Sequence, residues 1–66
     1  MKIILNGQSQ EYAESALLKT IIEQFCQDTR HVIAEVNGAI VKNTQWSAHT
    51  LSDGDTIELV GFVGGG

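Results

Sequence analysis

The spacing of apolar residues changes along the chain, from strand-like runs to one helix-like stretch and back again. In the helix-like stretch, four apolar residues lie at i, i+3, i+4 and i+7, namely Leu18, Ile21, Ile22 and Phe25. This spacing predicts one apolar stripe on a helix of about three turns, and Leu17 widens the stripe. Ser15 is predicted to cap the start of this helix, where the acidic Glu14 beside it favours the helix dipole.

Strand-like runs lie on both sides of the predicted helix. The sequence predicts five strands, over Lys2–Leu5, Gln8–Tyr12, His31–Val36, Ala39–Val41 and Thr56–Val60. The dipeptides Asn6-Gly7 and Asn37-Gly38 join neighbouring strands, and they are strong hairpin signals because both residues tolerate positive φ. Residues 42–52 are polar and irregular, and Trp46 within them is expected to cap the core of so small a domain.

The order of the predicted elements is strand, strand, helix, strand, strand, strand. A single helix can cover only one face of a sheet, and its crossover should be right-handed. The order therefore predicts an α+β fold, the ubiquitin-like β-grasp, in which a mixed sheet of four to five strands carries one helix packed on one face. The uncovered face is expected to be a docking surface. This domain is predicted to span residues 1–60, followed by a flexible glycine-rich tail at 61–66.

Composition limits the classes of partner that the chain can bind. The 66 residues include eight acidic and four basic side chains, and the resulting net charge of −4 disfavours binding to nucleic acid. No apolar run is long enough to span a membrane, and the first residues lack the features of a signal peptide. Cys26 is the only cysteine, so the chain has no internal disulfide and is predicted to be cytoplasmic.

The side chains that most often carry chemistry show no catalytic arrangement. His31 and His49 lie far apart, neither has a spaced acidic partner, and Cys26 has no ligand spacing with either of them. Cys26 is interpreted as a small packing residue, because no basic residue adjoins it at helical spacing to lower its pKa. Asp53 and Asp55 flank a glycine and are interpreted as turn formers. We therefore expect no catalytic residue, no metal and no bound cofactor.

The last residues are the strongest candidates for a functional site. Gly64, Gly65 and Gly66 have no Cβ, so this segment can thread a narrow tunnel that side chains would block. The carboxylate of Gly66 is then the candidate for modification, and it needs activation, most simply by adenylation with ATP. Phe62 and Val63 are large apolar residues just beyond the last predicted strand, and they are expected to contact a partner.

Several segments of the chain resemble the ThiS family, the sulfur carriers of thiamin biosynthesis. They are Met1-Lys2-Ile3 with Asn6-Gly7, Val36–Val41, Trp46, and Asp53–Val60 running on to Phe62-Val63-Gly64-Gly65-Gly66. The resemblance covers the whole chain, and the final stretch is its most specific part.

The resemblance implies a carrier that is acted on by enzymes and is not itself an enzyme. A ThiF-like adenylyltransferase would use ATP to join AMP to the Gly66 carboxylate. Sulfur from the persulfide of a cysteine desulfurase would then displace AMP and leave a thiocarboxylate, which thiazole synthase would use as its sulfur source. The carrier would bind no metal or cofactor of its own.

Two other functions are compatible with the same residues. The tail would serve equally well for sulfur delivery to molybdopterin, to cysteine synthesis or to tRNA. A β-grasp module that binds a partner through its open face, with an idle tail, is the alternative outside the carrier class.

Overall fold

A mixed β-sheet with an α-helix on one face forms the body of the protein in the computed structural model, which describes residues 1–26 and 28–61. The five strands are β1 (Lys2–Leu5), β2 (Gln8–Glu11), β3 (Val32–Val36), β4 (Ala39–Val41) and β5 (Thr56–Gly61). The helix α1 spans Leu18–Phe25, and short 3-10 helices span Thr29–His31 and Asn43–Ala48. No helix in these described ranges is long and apolar enough to cross a membrane.

The last strand lies at the centre of the sheet. The strand order is β2-β1-β5-β3-β4, in which β5 pairs parallel with β1 and antiparallel with β3. The two hairpins β1–β2 and β3–β4 are antiparallel. This arrangement has the strands, the helix and the mixed sheet predicted for a β-grasp. β5 also includes Gly61, one residue beyond the predicted end of the strand and within the predicted tail.

The core lies between α1 and one face of the sheet. Its buried side chains are Ile3, Leu18, Ile21, Ile22, Val32, Ala34, Val36, Trp46, Leu51, Ile57 and Leu59. Within the described residues, no polar or charged side chain is buried. The strands that contribute to this core alternate between buried and exposed positions, as expected when only one face of a sheet is covered.

The helix is shorter than predicted, and one residue of its apolar stripe lies outside the core. α1 has eight residues, and Phe25 at its end is 43% exposed. The chain becomes extended at Cys26, whose N–H donates to the carbonyl of Ile22, so no further turn packs around Phe25. Cys26 packs against the core instead.

The prediction that Ser15 caps the helix is wrong. Ser15 has φ +67° and lies in a turn before the helix, and the N-cap position is Leu17, which makes no side-chain capping bond. The N–H of Leu18, the first helical residue, donates instead to the carbonyl of His49. A backbone group from a distant loop therefore satisfies one of the first helical N–H groups, which have no acceptor within the helix.

Residues predicted to be irregular contain the 3-10 helix Asn43–Ala48. Trp46 in this helix is 6% exposed, and its Nε1–H donates to the carbonyl of Val41 at 2.9 Å. The prediction that Trp46 caps the core is confirmed. His31, predicted to open a strand, ends the first 3-10 helix instead, and β3 begins at Val32.

Candidate functional site

The strand that leads into the glycine tail is held firmly by the core and by its neighbours. Ile57 and Leu59 of β5 are 0% and 4% exposed, respectively, and their side chains lie on the helix-covered face. The antiparallel register with β3 extends to the last residue of β5, where Gly61 lies opposite Val32. Gly64, Gly65 and Gly66, the predicted modification and threading residues, lie outside the described residues, as do Phe62 and Val63.

Both asparagines of the Asn-Gly turns bind β5 through their side chains. Asn6 Oδ1 accepts from the N–H of Leu59 at 2.8 Å, and its Nδ2 donates to the Leu59 carbonyl at 3.2 Å. Asn37 Oδ1 accepts from the N–H of Thr56 at 2.9 Å. Sequence reasoning recognised these residues only as turn formers, because no local signal reveals a contact with a strand about 20 or 50 residues away.

The sheet face opposite the helix carries an exposed apolar patch beside the end of β5. Ile33, Ile40 and Val60 are 39%, 68% and 53% exposed, respectively. Ile33 lies directly opposite Val60 in the β3–β5 register, and Ile40 lies opposite Glu35 in the β3–β4 register. These residues, together with Glu58, form what we call the open-face patch.

Two carboxylates face each other within the open-face patch. Glu35 of β3 and Glu58 of β5 are direct cross-strand partners. Like charges placed directly opposite each other in a sheet are destabilising. Among the described residues, neither glutamate takes part in a salt bridge. The patch therefore presents apolar side chains and uncompensated negative charge on one surface.

Cys26, Asp53 and Asp55, which were also considered for chemistry, have structural roles. Cys26 is partly buried, and its Sγ donates to the carbonyl of Asp28 at 3.2 Å. Asp53 Oδ1 accepts from the N–H of Lys2, and Asp55 Oδ2 accepts from the N–H of Ser52. Asp55 therefore stabilises the turn, as predicted, whereas Asp53 lies in the same turn and binds it to β1. The described ranges contain no group of three or more His, Cys, Asp or Glu side chains that could hold a metal ion.

Asp28 and Arg30 form an exposed ion pair just before β3. The Arg30 guanidinium donates from Nε and Nη2 to the two carboxylate oxygens, at 3.0 and 2.9 Å. These hydrogen bonds, with a further one from the Arg30 backbone N–H, hold the pKa of Asp28 well below its usual range and raise the pKa of Arg30. The pair is exposed, and the Asp28 carboxylate caps the 3-10 helix Thr29–His31, which is a structural role.

Two solved structures from one bacterium are similar to this chain. The crystal structure of a thiamine biosynthesis protein, ThiS, from Geobacter metallireducens superposes with a TM-score of 0.83 at 29% identity, and the match covers 100% of both chains. An NMR solution structure of a thiamine biosynthesis protein from the same organism superposes with a TM-score of 0.78, over 100% of this chain and 88% of that one. These matches confirm the ubiquitin-like β-grasp fold.

Two curated proteins are each 32% identical to this chain over 66 residues. One is the sulfur carrier protein ThiS of Escherichia coli K12, in which the match covers 100% of both chains. The other is a thiazole synthase of Paramagnetospirillum magneticum, and this chain spans 20% of its length. The family model described as "ThiS family" matches residues 3–66. This chain therefore belongs to the ThiS family.

Proposed function

We propose that this protein is the sulfur carrier of thiamin biosynthesis and that the carboxylate of Gly66 holds the sulfur. The observation that carries the proposal is the family match, which extends through Gly66. The structure adds that β5, the strand leading into the glycine tail, lies at the centre of the sheet. A folded domain followed by a run of three glycines suits a carrier whose last residues must enter the active sites of other proteins.

The chemistry needs enzymes because a carboxylate is a poor electrophile. A ThiF-like adenylyltransferase joins the Gly66 carboxylate to AMP, using ATP and releasing pyrophosphate. A persulfide supplied by a cysteine desulfurase attacks the acyl carbon, and AMP leaves. A thiol then reduces the resulting acyl disulfide, so that one sulfur stays on Gly66 as a thiocarboxylate. The carrier supplies the reacting carboxylate, and it contributes no catalytic side chain.

Thiazole synthase is the proposed acceptor of this sulfur. The support is the relative named thiazole synthase, a fifth of which matches this entire chain. Sulfur delivery to molybdopterin, to cysteine synthesis or to tRNA would use the same tail. These pathways are therefore distinguished by which enzyme accepts the sulfur.

The open-face patch, with Phe62 and Val63 beyond it in the chain, is the proposed docking surface for the adenylyltransferase. Val60 ends the patch only two residues before Phe62. Exposed apolar residues near the centre of an interface carry much of its binding energy. Glu35 and Glu58 complement lysine or arginine side chains on the partner, which would relieve the repulsion between them.

Truncation of the docking residues is expected to weaken binding without unfolding the carrier. Phe62→Ala and Ile40→Ala should each weaken binding to the adenylyltransferase by about tenfold, the effect of a moderate interface residue. Isothermal titration measures this affinity, and thermal denaturation measures stability. Phe25→Ala is the matched control, since Phe25, like Ile40, is exposed but lies on the helix, away from the patch. Unchanged affinity with a sharp drop in melting temperature would make Phe62 a core residue and exclude its docking role.

Mass spectrometry of the intact protein tests the proposed chemistry directly. After incubation with its adenylyltransferase, ATP, a persulfide source and a thiol, the carrier should gain the mass of one oxygen-to-sulfur exchange. Fragmentation should place the change on Gly66. Cys26→Ser should acquire sulfur to the same extent as the wild type. The Cys26 Sγ makes a local hydrogen bond to Asp28, and we assign it no part in sulfur transfer. Sulfur found on Cys26 would instead make this a persulfide carrier, with the tail acting only in docking.

A further inference from the structure

The side chain of Asn6 completes the sheet where β1 ends. β1 stops at Leu5, which pairs with Ile57, and the chain turns away at Asn6 and Gly7 with φ of +48° and +82°. The backbone N–H of Asn6 still donates to the carbonyl of Ile57 at 2.9 Å. The side-chain amide then makes two bonds with the backbone of Leu59, so that Asn6 replaces the next strand residue that β1 lacks.

Within residues 1–26 and 28–61, these are the last hydrogen bonds that β5 makes on its β1 side. Only Val60 and Gly61 follow Leu59 within the strand, and β3 pairs with them from the other side. Without Asn6, the N–H and carbonyl of Leu59 would have no strand partner on the β1 side. The end of β5 would then be held along one edge only.

An asparagine suits this position for two reasons. Its amide places an N–H donor beside an oxygen acceptor, and these match the carbonyl and the N–H of Leu59. Asparagine also tolerates the left-handed backbone conformation, here φ +48°, better than most residues with a side chain. Aspartate would keep the acceptor, lose the donor and place negative charge against the Leu59 carbonyl.

Asn37 makes a similar clamp at the opposite end of the same strand. It also has positive φ, +53°, and precedes a glycine. Its backbone N–H donates to the Thr56 carbonyl at 2.8 Å, and its side chain binds the Thr56 N–H and the Asp55 carboxylate. The two clamps differ in that Asn6 holds the end of β5 from which the tail continues.

We propose that Asn6 is a positioning residue for the tail. It holds the last residues of β5 in the sheet, and so fixes the direction in which the tail leaves toward the adenylating active site. A misplacement of about 1 Å at a reacting group can cost about 100-fold in rate, so the direction of the tail affects the reaction even without contact at the reacting atoms. This inference rests on the proposed carrier function.

The test compares Asn6→Gly with Asn37→Gly, since glycine keeps the positive φ and removes only the side-chain clamp. Asn6→Asp is the second variant, because it keeps the size of the side chain and removes the donor. We measure kcat and KM for thiocarboxylate formation with the adenylyltransferase, at a temperature where every variant is folded. Hydrogen exchange of the Leu59 amide reports the clamp itself.

Both Asn6 variants should lower kcat by about tenfold or more, in line with the sensitivity of rate to misplacement, and leave KM within about twofold. Asn37→Gly should leave kcat near the wild-type value. Leu59 exchange should accelerate in the Asn6 variants and not in Asn37→Gly. Wild-type kcat in the Asn6 variants, or an equal loss in Asn37→Gly, would overturn the proposal. If the wild type acquires no sulfur, the carrier function fails, whereas a loss confined to Asn6 variants of an active carrier supports the positioning role.

Discussion

Deletion of Gly65 and Gly66 is expected to abolish sulfur loading and leave the fold intact. The deletion shortens the reach of the tail by about 7 Å, because each extended residue spans about 3.5 Å. Since even a 1 Å misplacement can cost about 100-fold in rate, the new carboxylate at Gly64 should be unreactive. The buried side chains of the described residues lie between Ile3 and Leu59, and Gly65 and Gly66 have no side chain to bury, so the melting temperature should not change. Mass spectrometry and thermal denaturation measure the two effects.

The same deletion separates a carrier from a module with an idle tail. A module that acts only through the open-face patch would keep its full activity after the deletion. A variant with one extra residue after Gly66 is the matched control, because it keeps every native residue and moves only the terminal carboxylate. It should also remain unmodified. Normal loading of either variant would exclude Gly66 as the site of activation.

Replacement of Ile22 by alanine is expected to unfold much of the protein. Ile22 is fully buried between the helix and the sheet, and removing so large a buried side chain costs about 2–5 kcal/mol. Small domains have a total stability of roughly 0.05–0.15 kcal/mol per residue, so this loss is a large fraction of the total. Urea denaturation followed by circular dichroism measures the free energy of unfolding.

Two neighbours of Ile22 on the same helix serve as controls. Glu23→Ala should change stability by no more than about 0.5 kcal/mol, because Glu23 is an exposed surface residue. Phe25→Ala should cost clearly less than Ile22→Ala, since Phe25 is 43% exposed. If Ile22→Ala were no more destabilising than Glu23→Ala, the packing of α1 on the sheet would be wrong.

Local sequence patterns determined the elements and the turns of this protein. The Asn-Gly dipeptides predicted tight turns because positive φ is a property of those residues themselves, and all four residues have positive φ in the structure. The apolar stripe predicted the buried positions Leu18, Ile21 and Ile22 for the same kind of reason. The glycine tail was also visible as a candidate site, because its chemistry depends on residue type and not on packing.

Tertiary structure decided the features that depend on contacts between distant segments. Ser15 does not cap the helix because it lies in a turn two residues before the N-cap Leu17, and the carbonyl of His49 accepts from the first helical N–H. Phe25 was predicted to lie on the buried stripe but is exposed, because the helix ends at this residue and no further turn covers it. Asn6 and Asn37 both precede a glycine in a tight turn, yet they bind opposite ends of β5: Asn37 binds Thr56 at its start, and Asn6 binds Leu59 near its end. The physical reason is that strand order and register set which atoms meet, and Asn6 meets Leu59 only because β5 lies beside β1.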